Sequence, residues 1–257
     1  MYYIKRFIFQ LISKSAILTK ILHFIWIKYQ HLRCNFKSIL FYRLNLKLNS
    51  LSDRGQDKWV IDIFDLKKKN YKGFFLEIGA GDGFCNSNTF ILEKNYSWDG
   101  ILVEPSVTLF NKLKNHRSKT KKANYIIYNE NVKIKFMENG ELSRIACKDD
   151  ADINYKELSN SKKLVDVLKD FRAPKIIDFF SLDVEGSEEK VLTQEVLSEY
   201  IFLALCIERP SKKLFELLVK NEYVFVESRI YDCFFVKKSF LNLKKLTLKK
   251  YVNFELK

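Results

Sequence analysis

A short run of glycines directly after a buried strand constrains this chain more than any other feature. Residues 73–78 read GFFLEI, which is the composition of a strand buried on both faces, and residues 79–83 read GAGDG. Three glycines alternate here in a chain that has only 8. Glycine lets the backbone turn sharply and approach a ligand where a Cβ would collide. The pattern therefore predicts a strand, a tight turn and a ligand site in the loop.

Strands and helices alternate along the chain around this loop. Predicted strands cover residues 73–78, 100–104, 125–128, 176–184 and 202–208, and residues 223–227 and 233–236 form a final pair. The connection within that pair is too short for a crossover helix, so the two strands are antiparallel. This order predicts an α/β fold with a doubly wound, mostly parallel seven-stranded sheet. Ligands bind such sheets at the carboxyl ends of the strands, which places the chemistry after Ile78, Glu104, Leu182 and Ile207.

Four further segments carry structural predictions. Residues 132–136 add an edge strand, and the polar region Glu138–Lys162 is a loop or lid. One helix is predicted over Glu188–Glu199, and another over Gln56–Leu66 beneath the sheet.

The positive charge of the chain is concentrated at its two ends. The net charge is +14, yet residues 1–50 contain nine Lys or Arg and no Asp or Glu, and residues 237–257 contain seven Lys and one Glu. The part between the ends is therefore nearly neutral. We predict a basic amphipathic helical extension over residues 1–50, a globular domain over 51–240 and a basic tail over 241–257.

The first 33 residues combine an apolar helical stripe with six cations and no acid. The stripe consists of Ile4, Phe7, Ile8, Leu11, Leu18, Ile21, Leu22 and Ile25. Helices that lie on membrane surfaces have this composition, so we expect residues 1–33 to lie on an anionic membrane surface. Docking on the chain's own sheet is the alternative, and nucleic acid is less favoured because the stripe is apolar. No apolar run reaches the ~18 residues that cross a bilayer, which favours a cytoplasmic chain, peripheral on a membrane.

The glycine loop favours S-adenosylmethionine (SAM) over a dinucleotide. Its spacing is G-x-G-x-G, whereas the dinucleotide fingerprint is G-x-G-x-x-G with a pyrophosphate at the helix start. Glu77, two residues before the first glycine, suits a cofactor with a cationic amino-acid part. Glu104 ends the next predicted strand, where a carboxylate accepts both ribose hydroxyls of an adenosine. A merely tight turn is the alternative for the loop.

A second pair of acidic residues, Asp183 and Glu185, follows the predicted strand 176–184. Side chains two residues apart share one face of an extended segment. We expect Asp183 to face the methionine end of the cofactor or the acceptor, and Glu185 to act as general base or bind acceptor hydroxyls. A metal site and a helix cap at Glu185 are the alternatives, and we assign no metal ligand. The segment differs from the Asn/Asp-Pro-Pro-Tyr type expected for amine methylation, which favours an oxygen acceptor.

Several motifs occur together in the order found in one known family. They are Gly55–Val60, Phe75–Gly83, Ser87–Thr89 with Leu92–Lys94, Trp98–Pro105, Asp178–Glu188 and Ile207–Pro210. On these residues, over about positions 52–236, the chain resembles the FkbM family of methyltransferases. The resemblance implies the Rossmann-like class I SAM-dependent fold. It also implies O-methylation of a hydroxyl on a sugar, glycan or related metabolite.

The resemblance assigns roles to individual residues as well. It implies that Glu77, Gly79, Gly81, Asp82 and Glu104 hold SAM and that Asp183 and Glu185 line the acceptor site. The predicted cofactor set is completed by Ala80, Gly83, Asn88 and Pro105. The alternative function is a methyltransferase-like module that binds or scaffolds at a membrane surface without turnover.

Overall fold

The computed structural model describes residues 28–29, 32–44, 47–137, 143–145 and 156–244. The chain divides into two compact units, Met1–Leu48 and Asn49–Lys257. In the first unit, residues 28–29 and 32–38 are helical and Ile39–Arg43 forms a π-helical turn. Most of the predicted helix over 1–33 lies outside the described residues. Among the described helices, none has the length and apolarity needed to cross a membrane.

The second unit contains eleven strands in its described part. In chain order they are β1 Phe74–Ile78, β2 Asp99–Val103, β3 Lys121–Ala123, β4 Ile126–Ile127, β5 Lys133–Met137, β6 Arg144–Ile145, β7 Lys156–Lys162, β8 Ile176–Leu182, β9 Ile201–Glu208, β10 Tyr223–Arg229 and β11 Asp232–Lys237. Seven of them form the main sheet, in the order β10-β11-β9-β8-β1-β2-β3. Strand β11 is antiparallel to both β9 and β10, and the other neighbours are parallel. The predicted doubly wound, mostly parallel seven-stranded sheet is confirmed.

Eight α-helices of the second unit are described. They are α1 Gln56–Ile63, α2 Phe90–Tyr96, α3 Val107–His116, α4 Leu164–Asp170, α5 Glu188–Val191, α6 Gln194–Glu199, α7 Lys212–Lys220 and α8 Lys238–Lys244. The hydroxyl of Ser106 accepts a hydrogen bond from Leu109 N and fixes the start of α3. Ser211 does the same for α7 through Leu214 N. These hydroxyls explain why both helices begin directly after a strand end.

The centre of the main sheet is buried on both faces. In β1 and β8, Phe75, Leu76, Phe179 and Phe180 are completely buried. A strand covered by helices on both sides needs apolar residues at successive positions. This is why these strands are continuous apolar runs in the sequence and why their positions could be predicted.

The third strand of the main sheet lies earlier in the chain than predicted. Lys121–Ala123 pairs in parallel with β2, whereas Ile126–Ile127, inside the predicted strand 125–128, belongs to a second sheet. The prediction of residues 125–128 as the third main-sheet strand was therefore wrong. The prediction was based on the apolar residues, whereas an edge strand is held by backbone pairing and can contain lysines.

The second sheet has the strand order β4-β7-β5-β6. The strand predicted over 132–136 is present as β5, although it lies in this sheet. The region Glu138–Lys162, predicted as a loop or lid, contributes β6 and β7, so that prediction was wrong for its described parts. Strand β7 reads KELSNSK and has no apolar alternation. It is held by backbone pairing to β5 and β4 and by the Ser161 hydroxyl, which donates to the Glu130 carbonyl at 2.7 Å.

Two helical boundaries also differ from expectation. The helix predicted over Glu188–Glu199 is interrupted between α5 and α6, where Leu192 is completely buried and Thr193 is extended. A β-branched threonine favours that extended backbone. Helix α8 continues past residue 240, the predicted end of the domain, and Phe240 packs on Phe64 with ring centroids 4.9 Å apart. Residues 245–257 of the predicted tail lie outside the described residues.

Candidate active site

The glycine loop brings the ends of three strands together. Gly79 has a φ of +82°, and the N–H groups of Gly79 and Ala80 donate to the Val103 carbonyl at 3.0 and 3.1 Å. A Cβ added to Gly79 would lie 1.7 Å from the carbonyl oxygen of Asp183. At Gly81, with a φ of +56°, an added Cβ would meet no atom within 4 Å. The loop is therefore closely packed at Gly79 and open at Gly81, where a ligand has room.

Glu104 lies beside this loop, as its spacing predicted. Its buried carboxylate accepts hydrogen bonds from Gly81 N and Ser106 N, both at 2.8 Å. The side-chain amide of Asn124 donates to the carbonyls of Glu104 and Pro105 at 2.8 and 3.0 Å. The end of β2 is thus fixed with a carboxylate directed at the glycine loop.

Glu77 makes contacts that the sequence did not predict. Its carboxylate is buried and accepts hydrogen bonds from Thr89 Oγ1 at 2.5 Å, Asn88 N at 2.8 Å and Ser87 Oγ at 3.1 Å. Burial raises the pKa of this carboxyl, and Arg117 and the three donors oppose that effect. Glu77 therefore anchors residues 87–89 to the end of β1. A contact between Glu77 and the cofactor stays a prediction.

Asp82 and Asn88, two other predicted cofactor residues, lie near this anchor. Asp82 Oδ1 accepts from Phe84 N at 2.9 Å and Cys85 N at 2.7 Å, which closes the turn after the glycines. Asn88 Nδ2 donates to Ser181 Oγ at 2.8 Å. Its Oδ1 is buried and has no hydrogen-bond partner among the described residues. A buried acceptor without a partner is costly, so this oxygen suits a hydrogen-bond donor of a bound ligand.

These features together fit SAM. The open space at Gly81 admits a ligand next to the backbone, and the adjacent Glu104 carboxylate suits ribose hydroxyls. The unsatisfied Asn88 oxygen suits an ammonium or hydroxyl donor. A pyrophosphate would instead meet the negative charge of Glu104.

The side chain of Arg117 supports the residues that follow the glycine loop, and the sequence did not predict this role. Its guanidinium is completely buried and donates to Glu93 Oε2 at 2.5 Å and to the Gly83 carbonyl at 3.2 Å. It also donates to Ser87 Oγ at 3.2 Å and Thr89 Oγ1 at 3.1 Å, the two hydroxyls that bind Glu77. No local pattern marks this arginine, because every partner is at least 24 residues away in sequence.

Three carboxyl groups meet at the ends of β8 and β9. They belong to Asp183, Glu185 and Glu208, and one oxygen of each lies within 4.8 Å of the others. Burial raises the pKa of Asp183 well above its usual range, and the adjacent Glu208 and Glu185 raise it further. The close approach of these carboxyl groups therefore disfavours the charged form of Asp183. The cluster has space for a cation, although the sequence analysis assigned no metal ligand.

Glu185 and Arg209 complete this cluster. Glu185 has a φ of +53°, and Arg209 Nη1 lies 3.6 Å from its Oε2 and 3.5 Å from Glu208 Oε1. Burial and Glu208 raise the pKa of Glu185, whereas Arg209 and Arg144 lower it. The guanidinium carbon of Arg209 lies 3.9 Å from the ring centroid of Tyr231.

The structure excludes one alternative for Glu185, the helix cap, and leaves the metal site open. The turn before α5 is closed by Glu188, which accepts from Gly186 N at 3.0 Å and Val184 N at 3.3 Å. Glu185 points to the acidic cluster, so the cap is supplied by Glu188. The sequence analysis missed Glu208 and Arg209, although both lie in the Ile207–Pro210 motif at a strand end where chemistry was expected.

Comparison with known proteins identifies the family. The model of the methyltransferase FkbM domain matches residues 77–216, which is more than half of the chain. No curated protein matches the sequence.

Three solved structures show the extent of similarity in fold. The methyltransferase FkbM from Methylobacillus flagellatus KT is 16% identical with a TM-score of 0.43, and the alignment covers 64% of this chain and 43% of that one. The delta-N METTL16 MTase domain is 14% identical with a TM-score of 0.46 and coverages of 80% and 92%. A precorrin-6y C5,15-methyltransferase from Geobacter metallireducens GS-15 is 10% identical with a TM-score of 0.38 and coverages of 74% and 94%.

This chain therefore spans less than half the length of the FkbM structure that it matches. The family model covers both halves of the site, from Glu77 in the cofactor region to Glu208 and Arg209 in the acidic cluster. The chain belongs to the FkbM family of methyltransferases, and its cofactor is S-adenosylmethionine.

Proposed function

We propose that this chain transfers the methyl group of SAM to a hydroxyl group of a sugar, glycan or related metabolite. One observation carries the proposal: the acidic cluster directly adjoins the glycine loop. The backbone of Asp183 touches Gly79, and its N–H donates to the Ile78 carbonyl at 3.1 Å. An acceptor held by the carboxyl groups would therefore lie next to a cofactor held by the loop.

The residues on the cofactor side bind and orient. Glu104 would accept the ribose hydroxyls, while Asn88 Oδ1 would accept from a donor of the methionine part. The bound cofactor supplies an electrophilic methyl group on a positively charged sulfur. Transfer to an oxygen requires mainly that the acceptor be close and aligned, so exact placement of both ligands contributes much of the rate.

The residues on the acceptor side would orient the hydroxyl and remove its proton. We assign the base to Glu185, whose partly exposed carboxylate lies 3.6 Å from Arg209 Nη1, a cation that can fix its orientation. The raised pKa of Glu185 makes it a stronger base than an ordinary carboxylate. Asp183 and Glu208 lie beside it, and their carboxyl groups would form hydrogen bonds with the acceptor.

Glu185 and Asp183 are tested with amide substitutions, which keep the size of each side chain and remove its carboxyl group. Glu185→Gln and Asp183→Asn should each lower kcat by about 10²–10⁴-fold, the range for loss of a positioned acid or base. SAM affinity, measured by calorimetry, should change little. Glu195→Gln is a matched control, because Glu195 is exposed on α6 and pairs with Lys163 instead of belonging to the cluster. Full activity in both site variants would show that the acceptor residues are wrongly assigned.

The cofactor side is tested through Glu104. Glu104→Ala should weaken SAM binding by roughly 1–3 kcal/mol, because a buried charged hydrogen-bond partner is lost. Glu216→Ala, at an exposed position on α7, should leave binding unchanged. Tight binding of NADH by the wild-type chain, with no binding of SAM, would reverse the choice of cofactor.

The acceptor itself is identified by labelling. A cell extract incubated with the chain and a labelled methyl donor should yield a labelled sugar, glycan or related metabolite, and Glu185→Gln should abolish the label. SAM binding without turnover of any acceptor would instead favour the alternative of a module that binds or scaffolds.

A further inference from the structure

The described part of the first unit exposes several large apolar side chains in one short segment. Between residues 32 and 44 the exposed fractions are 69% for Leu32, 61% for Phe36, 44% for Ile39, 47% for Tyr42 and 57% for Leu44. Single exposed apolar residues are common on protein surfaces, but a contiguous group marks an interaction site. In the described part of the second unit, the large exposed apolar residues are spread along the sequence, apart from the adjacent pair Ile230 and Tyr231.

The helical geometry places the first three of these residues on one face. Residues 32–38 are α-helical, and the π-helical turn Ile39–Arg43 follows directly. At about 100° per residue, Leu32, Phe36 and Ile39 fall within an arc of about 60°. We call Leu32, Phe36 and Ile39 the apolar face.

The charges around the apolar face limit the kinds of partner that it can bind. Residues 28–47 contain Lys28, Arg33, Lys37, Arg43 and Lys47, and the first 50 residues contain no carboxylate. A second copy of the same face would bring ten cations together without an acid between them. Nucleic acid would match the cations but not the exposed leucine, phenylalanine and isoleucine side chains. An anionic lipid surface matches both features, since it offers negative headgroups above an apolar interior.

We propose that residues 32–44 dock on an anionic membrane surface, with the apolar face inserted among the lipids and the cations at the headgroups. Long cationic side chains reach the headgroups while their stems stay in apolar surroundings. The apolar face lies within the described residues 32–44, and it extends beyond the segment 1–33 to which the sequence analysis assigned membrane binding. It is independent of the reaction that the second unit performs.

The experiment is co-sedimentation of the full chain with vesicles. Wild-type protein should bind vesicles of phosphatidylcholine and phosphatidylserine (7:3) at least about tenfold more tightly than pure phosphatidylcholine, since each cation near anionic lipid contributes about fivefold. The double variant Leu32→Glu, Phe36→Glu should lose about 100-fold or more, because insertion of each side chain is worth at least about tenfold. High salt should weaken wild-type binding.

A matched control carries the same change in charge at other exposed apolar positions. Ile176→Glu with Val219→Glu replaces two side chains that are each 53% exposed in the second unit, and this variant should bind vesicles as the wild type does. Circular dichroism and the melting temperature confirm that both double variants are folded. Equal loss of binding in the two variants, or wild-type protein that ignores anionic vesicles, overturns the proposal. So does a dimer in light scattering that Leu32→Glu, Phe36→Glu dissociates without any vesicle binding.

Discussion

Gly79→Ala is expected to prevent stable folding of the site and to abolish SAM binding. The added methyl group would lie 1.7 Å from the Asp183 carbonyl oxygen, and that atom belongs to the backbone of a central strand end. The strands β1 and β8 would have to separate, and the φ of +82° would be strained for alanine as well. We expect a loss of unfolding free energy of more than about 3 kcal/mol, in the range of severe overpacking.

Gly81→Ala is the matched comparison, because it adds the same methyl group two residues later. An added Cβ there meets no atom, so the cost is that of a left-handed alanine, about 1 kcal/mol. If SAM occupies the open space at Gly81, this variant should stay folded and yet bind SAM more weakly. Urea unfolding and calorimetry separate the two effects. Equal stability of the two alanine variants would contradict the close approach of β1 and β8.

Some parts of the site could be predicted from the sequence, and others could not. The loop and Glu104 were predictable, because each follows its own buried strand directly and the glycine spacing is local. The hydrogen bond from Gly81 N to Glu104 at 2.8 Å agrees with that reasoning. Glu208 and Arg209 were missed because a single acid–arginine pair at a strand end has no distinctive local pattern. Their relevance comes from the pairing of β8 with β9, which brings Asp183 next to Glu208.

The errors in the predicted fold have a related cause. Both Lys121–Ala123 and Lys156–Lys162 are strands whose sequences contain few apolar residues, so hydrophobic periodicity could not predict them. They are held by backbone pairing with β2 and with β5. Periodicity predicted the buried centre of the main sheet. It failed at β3, an edge strand of the main sheet, and at β7, which lies between β4 and β5 in the second sheet, because both are set by backbone pairing.

Arg117→Met is expected to destabilise the chain by roughly 3–5 kcal/mol, the cost of removing one partner from a buried ion pair. The carboxylate of Glu93 would lose its guanidinium, and the Gly83 carbonyl would lose a donor. The hydroxyl groups of Ser87 and Thr89 would also lose their hydrogen bonds from Arg117. Residues 87–89 should therefore be held less firmly on Glu77. SAM affinity should therefore fall together with stability. Lys112→Met, at an exposed position on helix α3, which ends just before Arg117, should change neither quantity.

The double variant Glu93→Gln, Arg117→Met tests whether the uncompensated carboxylate is the main cost. It should be less destabilised than the two single variants added together, because neither buried charge is left without its partner.

The pH dependence of unfolding gives a second test of this ion pair. Although burial alone would raise the pKa of Glu93, Arg117, Lys94 and Thr120 lower it from 4.5 to about 2.

A carboxyl whose pKa is lower in the folded chain stabilises the fold above its unfolded pKa, and that stabilisation is lost as the pH falls toward the folded value. The wild type should therefore lose stability between about pH 4.5 and 2 through this group. That part of the loss should be absent in Glu93→Gln and smaller in Arg117→Met. If Arg117→Met instead keeps the wild-type acid profile and the wild-type affinity for SAM, Arg117 does not support the glycine loop.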